Sequence, residues 1–304
     1  MKYGNTSGHG YSSGDISLEK KMKIAIASGK GGTGKTMVAA NLAFTLSLTC
    51  QVTLVDCDVE EPNLHLFFPG TATPADVTIP IPVVDEKICD HCGTCGEFCQ
   101  YGALTVLRDR VLFFPELCHS CGGCTLVCPK SAIHEVPKRV GIVTYATPLP
   151  RLNLVSGYLD TGNPFAVPVI KAAKTAAAGD SLVICDASPG TSCPVVETLD
   201  GCDVCILVTE STPFGLHDLH LAVDVADRLG IPAGIVINRS DGRDQATLDF
   251  CTNHGLDVIM TIPFDREIAA IQSRGNLLCR MRPEWQKAFI ALFVKCRTLA
   301  GEDV

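Results

Sequence analysis

Met22-Lys-Ile-Ala-Ile-Ala-Ser28-Gly-Lys-Gly-Gly-Thr-Gly-Lys-Thr36 decides the fold of this 304-residue chain. Residues 22–28 form a short apolar run, which reads as a parallel strand buried on both faces. The glycine loop follows at once, and from Lys35 to Leu48 apolar residues recur at helical spacing. Strand, glycine loop and helix in that order make a phosphate site. The glycines let backbone N–H groups turn inward, and the dipole of the helix favours an anion. The loop matches G-x4-G-K-T in full from Gly29 to Thr36. Gly31, Gly32 and Gly34 supply the backbone freedom, with Lys30 and Thr33 between them. Lys35 is placed for the β- and γ-phosphates, and the Thr36 hydroxyl for a magnesium ion. The expected ligand is ATP with Mg2+.

Outward from this unit, strands are expected at 52–55, 182–185, 204–208, 234–237 and 258–262. Helical segments are expected at about 166–178, 215–229, 244–254 and 265–273. Such alternation describes an α/β fold with a doubly wound, mostly parallel sheet and ligands at the carboxyl ends of its strands. The second strand ends at Asp56-Cys57-Asp58, and the next core strand at Asp186-Ala-Ser-Pro-Gly190. Trp285, Ala288, Phe289, Leu292, Phe293 and Cys296 recur at helical spacing after Pro283, a helix opener. The expected place of that C-terminal helix is against the core.

The rhythm breaks between about 70 and 150, where Pro69, Pro74, Pro80 and Pro82 mark the entry and Pro137, Pro148 and Pro150 the exit. An internal repeat lies between. Cys89, Cys92, Cys95 and Cys99 form one C-x2-C-x2-C-x3-C run, and Cys118, Cys121, Cys124 and Cys128 a second. Gly93/Gly122, Ala103/Ala132 and Leu104/Ile133 match between the copies. The expected division is a tail over 1–20, disordered, an ATPase domain from 21–70 and 151–304, and an inserted cysteine-rich domain over 71–150.

Composition narrows the surroundings. The 17 cysteines do not read as a disulfide framework, because the chain is large, lacks an export signal and places eight of them in one ligand motif. A reducing, cytoplasmic setting is expected. The net charge of −8 comes without a lysine or arginine block, so no nucleic-acid partner is expected. No apolar run is long enough to span a bilayer, and the sparse basic residues of the last helix argue against stable membrane insertion.

With both motifs in view, the chain resembles the MinD-superfamily P-loop ATPases, the group of MinD, ParA, Mrp and the nitrogenase iron protein. In particular it is similar to members that carry an inserted two-cluster ferredoxin domain, some of which accompany the orange protein. The resemblance implies that Lys30 crosses a dimer interface to the partner's nucleotide. It implies that Asp58 orients the attacking water, Asp186 holds the magnesium shell, the Gly190 amide senses the γ-phosphate and Asn238 meets the adenine. In bacterial two-cluster ferredoxins the fourth cysteine of each run serves the other cluster. That assigns Cys89, Cys92, Cys95 and Cys128 to one 4Fe–4S cluster, and Cys118, Cys121, Cys124 and Cys99 to a second. Zinc is the structural alternative.

The implied protein is a slow, partner-stimulated ATPase acting as a homodimer or as a heterodimer with a paralogue. Three functions fit: assembly or delivery of a metal cofactor in a partner protein, ATP-gated electron donation to a redox partner, and MinD/ParA-like positioning. Cys193 lies seven residues past Asp186, the spacing of a cluster ligand in the nitrogenase iron protein. The second cysteine that such a ligand needs is missing around Gly157 and Tyr158, so a dimer-bridging cluster is not expected.

Overall fold

The computed structural model describes residues 21–302; the expected tail over 1–20 lies outside them. Eleven strands are described: β1 (Met22–Ala27), β2 (Val52–Asp56), β3 (Thr73–Val84), β4 (Leu104–Val106), β5 (Val111–Phe113), β6 (Ile133–Leu149), β7 (Leu152–Leu159), β8 (Leu182–Asp186), β9 (Val204–Glu210), β10 (Ala233–Ser240) and β11 (Asp257–Pro263). Nine of them form one sheet in the order β11-β10-β9-β1-β8-β2-β7-β6-β3. From β11 to β7 every pair is parallel. The last two strands, β6 and β3, run in antiparallel pairs.

The strands β1, β2 and β8 are almost wholly buried. This is what near-continuous apolar runs produce when helices cover both faces. On one face lie α1 (Lys35–Ser47), α8 (Arg266–Ser273), α9 (Leu278–Met281) and α10 (Trp285–Leu299); on the other, α4 (Ala166–Ala176), α5 (Cys193–Leu199), α6 (Pro213–Arg228) and α7 (Gln245–Asn253). Helix α1 is buried nearly all round because it lies between the sheet and α10. Helix α10 docks by Phe289, Leu292, Phe293 and Cys296, each at most 1 % exposed. Phe289→Ala should therefore cost about 3–5 kcal/mol. Urea unfolding followed by circular dichroism reads that loss, and a change below about 1 kcal/mol would mean that α10 is not part of the core.

The edge of the sheet holds what the sequence hid. Strand β7 pairs in parallel with β2, Val52 opposite Leu152. Beyond it, the prolines that looked like loop punctuation lie inside strands: Pro74, Pro80 and Pro82 in β3, Pro137 and Pro148 in β6. The sheet tolerates those of β3 because it is an edge strand, where a missing N–H costs no ladder bond, and Pro148 falls in the register break of the β6–β7 pair between Ala146 and Leu149. Pro137 faces Pro80 in a stretch of β6 that pairs with β3 alone, since β7 covers only Gly141–Leu149.

Thus β3 and β6 leave the sheet as a two-stranded stalk. At its tip, residues 85–132 hold the short hairpin β4–β5 and two small helices, α2 (Thr94–Phe98) and α3 (Gly123–Val127). The helices pack on each other, and Cys95, Leu104 and Ile133 make a small core of their own.

Candidate functional site

The glycine loop closes over the start of α1. Helix α1 has no side-chain cap and no acidic residue in its first turn, and its first backbone bond runs from Val38 to Gly34. The amides of Lys35, Thr36 and Met37 thus present an anion cradle. Two glycines are required by geometry. A Cβ on Gly29 would lie 1.9 Å from the Asp218 carbonyl oxygen, and Gly34 has φ +96° with the Asn238 amide 2.3 Å from where a Cβ would be.

Several groups assigned from sequence are engaged with the chain itself. Asn238 is buried and donates from Nδ2 to the Thr33 carbonyl at 2.7 Å, holding the loop from beneath. The Gly190 N–H donates to the Ser28 carbonyl at 3.0 Å, tying the segment after β8 to the loop. Lys30 Nζ stands 3.7 Å from Glu210 Oε2, and the same carboxylate pairs with Arg239, whose φ is +56°. Lys35 is buried. The strand ends β2 and β8 are in register, Asp56 beside Asp186, and Cys57 N–H donates to the Asp186 carbonyl at 2.9 Å. The Ser188 hydroxyl adds a bond to the Cys57 carbonyl at 3.2 Å.

At the tip of the stalk the cysteines gather in two groups drawn from both runs. Cys89, Cys92, Cys95 and Cys128 line one pocket, with His91, Val106, Val111 and Ile133. Cys99, Cys118, Cys121 and Cys124 line the other, with Phe98, Tyr101, His119 and Glu135. The repeat is also a backbone repeat. His91 and Ser120, Gly93 and Gly122, Gly102 and Ser131 occupy matching positions of the two runs, and all six have positive φ. His91 is held by Glu86 at 2.9 Å.

The model of the CobQ/CobB/MinD/ParA nucleotide-binding domain matches residues 24–278, which includes the stalk and its tip. The chain belongs to this family. An uncharacterised protein of Methanocaldococcus jannaschii is 30% identical over 265 residues, 85% of this chain and 92% of its own. The 35.5 kDa chain of chlorophyllide reductase from Cereibacter sphaeroides is 24% identical over 281 residues, 90% of this chain and 72% of its own. Among solved structures, the Pyrococcus horikoshii septum site-determining protein MinD, complexed with Mg-ADP, aligns with TM-score 0.56 and 23% identity. That alignment covers 92% of this chain and 98% of MinD. The fold and the nucleotide loop are therefore those of the MinD/ParA-like P-loop ATPases, whose members bind and typically hydrolyse ATP. No helix among the described residues is long and apolar enough to cross a membrane.

Electrostatics single out three aspartates at and just past the ends of β2 and β8, Asp56, Asp58 and Asp186. Burial drives Asp186 up to about 7; Lys35 and the Thr36 hydroxyl oppose the rise, and Asp58 adds to it. Its Oδ1 is buried without a hydrogen-bond partner. Burial also raises Asp56 well above its ordinary value, with Asp186 adding to the effect. Asp56 accepts from the amides of Asp58, Asn63 and Leu64, so its work is to shape the segment after β2. Asp58 is raised by burial against the pull of Lys35.

A carboxyl whose folded pKa lies above its unfolded one holds an extra proton in the fold. Its contribution is present at pH values below 3.8 and is lost as pH rises towards about 7. Without nucleotide, the melting temperature should fall between pH 5 and 7, and Asp186→Asn should flatten that slope. An unchanged slope in the variant would place the titration elsewhere.

Sequence reading missed Glu210 and Arg239, and also the stack of Tyr101 on His119 at 3.7 Å with Phe165 edge-on at 5.7 Å. Glu210, Arg239 and Phe165 lie in no motif, and His119 sits inside the second cysteine run at a position its spacing does not mark. Their only signal is long-range packing.

Proposed function

We propose that the chain is an ATP-hydrolysing iron–sulfur protein that couples nucleotide state to assembly or delivery of a metal cofactor in a partner protein. The observation carrying it is the pair of four-thiol pockets on a stalk whose strands belong to the ATPase sheet. Lys35 neutralises the β- and γ-phosphates, and Asp58 positions the attacking water. Lys30 reaches the nucleotide of a second subunit, where its charge offsets that of the transferred phosphoryl group. That subunit is a second copy or a paralogue.

Asp186 and Thr36 fit a magnesium ion. The buried, unpartnered Asp186 Oδ1 is the sort of acceptor that a cation in the coordination shell of Thr36 would satisfy. The thiol pockets fit cubanes. Each has four cysteines, three from one loop and one from the other run. Among the described residues, these eight thiols form no group of three within 4.8 Å of one another; the one such group of candidate ligands is Glu86, Cys89 and His91. Two amides already point at ligand sulfurs, Ser120 N–H at Cys118 and Ala132 N–H at Cys128. Bound clusters would supply electron storage or a transferable iron–sulfur unit.

The delivery reading is favoured by exposure: Cys92 and Cys121 reach the surface, where an acceptor's thiols could meet them. Leu117 and Leu126, at and within the second cysteine run, are exposed as well and offer apolar side chains for a partner to cover. ATP-gated electron donation is the second reading, favoured by the similarity to a chain of a reductase. Incubating anaerobic holoprotein with an apo-acceptor separates them. Delivery predicts that iron moves to the acceptor in an ATP-dependent manner. Donation predicts that all iron stays while the acceptor is reduced.

A further inference from the structure

The two thiol pockets are not equivalent. The first is the smaller, with ≈ 320 Å³ of empty space including its opening to solvent, and is hemmed in by Val106, Val111 and Ile133. The second has ≈ 810 Å³ on the same measure and is lined by Phe98, Gln100, Tyr101 and His119. Two hydroxyl oxygens in the second cysteine run, Ser120 Oγ and Thr125 Oγ1, are buried with no partner; no such atom occurs at a described residue of the first run. Ser120 lines the second pocket, and Thr125 adjoins its ligand Cys124.

The second pocket is also joined to the ATPase core. His119, next to Cys118, stacks on Tyr101 at 3.7 Å and meets Phe165 edge-on at 5.7 Å. Phe165 is the residue that opens α4. Helix α4 in turn grips α5: Lys174 Nζ donates to the Asp200 carbonyl at 2.6 Å and to that of Glu197, and Lys171 pairs with Glu197 at 3.6 Å. Helix α5 starts at Cys193, three residues past Gly190, whose amide is bonded to the glycine loop. Packed elements thus run from the phosphate loop to one wall of the second pocket.

We infer that Tyr101, His119 and Phe165 form an aromatic clasp through which nucleotide state controls access to the second thiol pocket. That pocket is then the exchangeable one, holding a thiophilic iron–sulfur cargo, and the first is the permanent one. The inference rests on the proposed function for the identity of the cargo and of the nucleotide. Closed, the clasp pins the Cys118 loop to α4. A shift of the segment 186–192 carried by α5 and α4 moves Phe165 off His119 and frees the loop.

The test is iron release from anaerobic holoprotein into bathophenanthroline disulfonate, with Mg-ATP, with Mg-ADP and without nucleotide. Wild type should show two phases of about four irons each, and Cys99→Ala should remove the fast one. Phe165→Leu and His119→Gln should speed the fast phase about three- to tenfold without nucleotide, the equivalent of one lost aromatic pair. They should also abolish its response to nucleotide, and leave the slow phase unchanged. His119→Phe, which keeps the stack, should behave as wild type. The inference is overturned if both phases respond alike to nucleotide, if His119→Gln keeps the wild-type response, or if His119→Phe loses it. Mg-ATP binding, measured separately by calorimetry on the same samples, shows whether the nucleotide reading itself stands when the clasp fails.

Discussion

Lys35→Ala should lower ATP hydrolysis by about 10²–10³-fold, the effect of removing one preorganised charge from developing phosphoryl charge in a buried site. Lys35 is buried, and its ammonium opposes the raised pKa values of both Asp58 and Asp186. Its loss leaves those carboxylates without their nearest cation, so they should turn further toward their neutral forms. The variant should fold, because α1 keeps its apolar packing on the sheet and α10. Phosphate release measured at saturating Mg-ATP is the readout. A fall of less than about tenfold would remove Lys35 from the phosphate site. Lys30→Ala is a useful contrast: at low protein concentration it should bind ATP as wild type does, since its Nζ is held at Glu210 rather than in the cradle.

The second large effect concerns the thiols. Cys99→Ala should cut iron from about eight to about four per chain, and the loss should fall on the centre held by Cys118, Cys121 and Cys124. This is counter to sequence order, in which Cys99 belongs with Cys89, Cys92 and Cys95. It follows from the pocket each sulfur lines: Cys99 faces the second group and Cys128 the first. The reciprocal variant, Cys128→Ala, should spare the Cys118 group. Electron paramagnetic resonance of the two reduced variants distinguishes the surviving centres. If Cys99→Ala instead strips the Cys89 group, the crossed arrangement is wrong.

What the sequence showed depended on how local the signal was. The glycine loop was legible because its chemistry lies in eight consecutive residues, and β1, β2 and β8 because burial on both faces leaves an unbroken apolar run. The crossed thiol sets rest on the likeness of both cysteine runs to those of two-cluster ferredoxins. Strand β7 escaped because Asn153, Ser156 and Gly157 dilute its apolar run and it starts two residues after Pro150. Strands β3 and β6 escaped because proline argues against a strand everywhere except at an edge, and being an edge is a property of the whole sheet. The double engagement of Glu210 with Lys30 and Arg239, and the contact of His119 with Phe165, join residues far apart in the chain. Neither leaves a periodic trace. Asp56 is a further case: it stands at the head of the expected acidic motif, in which Asp58 alone carried an assigned role, and its three accepted amide bonds give it a structural task.

Anaerobic purification followed by paired determination of iron, acid-labile sulfide and bound nucleotide bears most directly on one chain housing both an ATP site and two cubanes. The expected result is about eight irons and eight sulfides per chain, together with one Mg-ATP at saturation. Zinc in place of iron, a sulfide content near zero, or a loaded protein indifferent to Mg-ATP would contradict it.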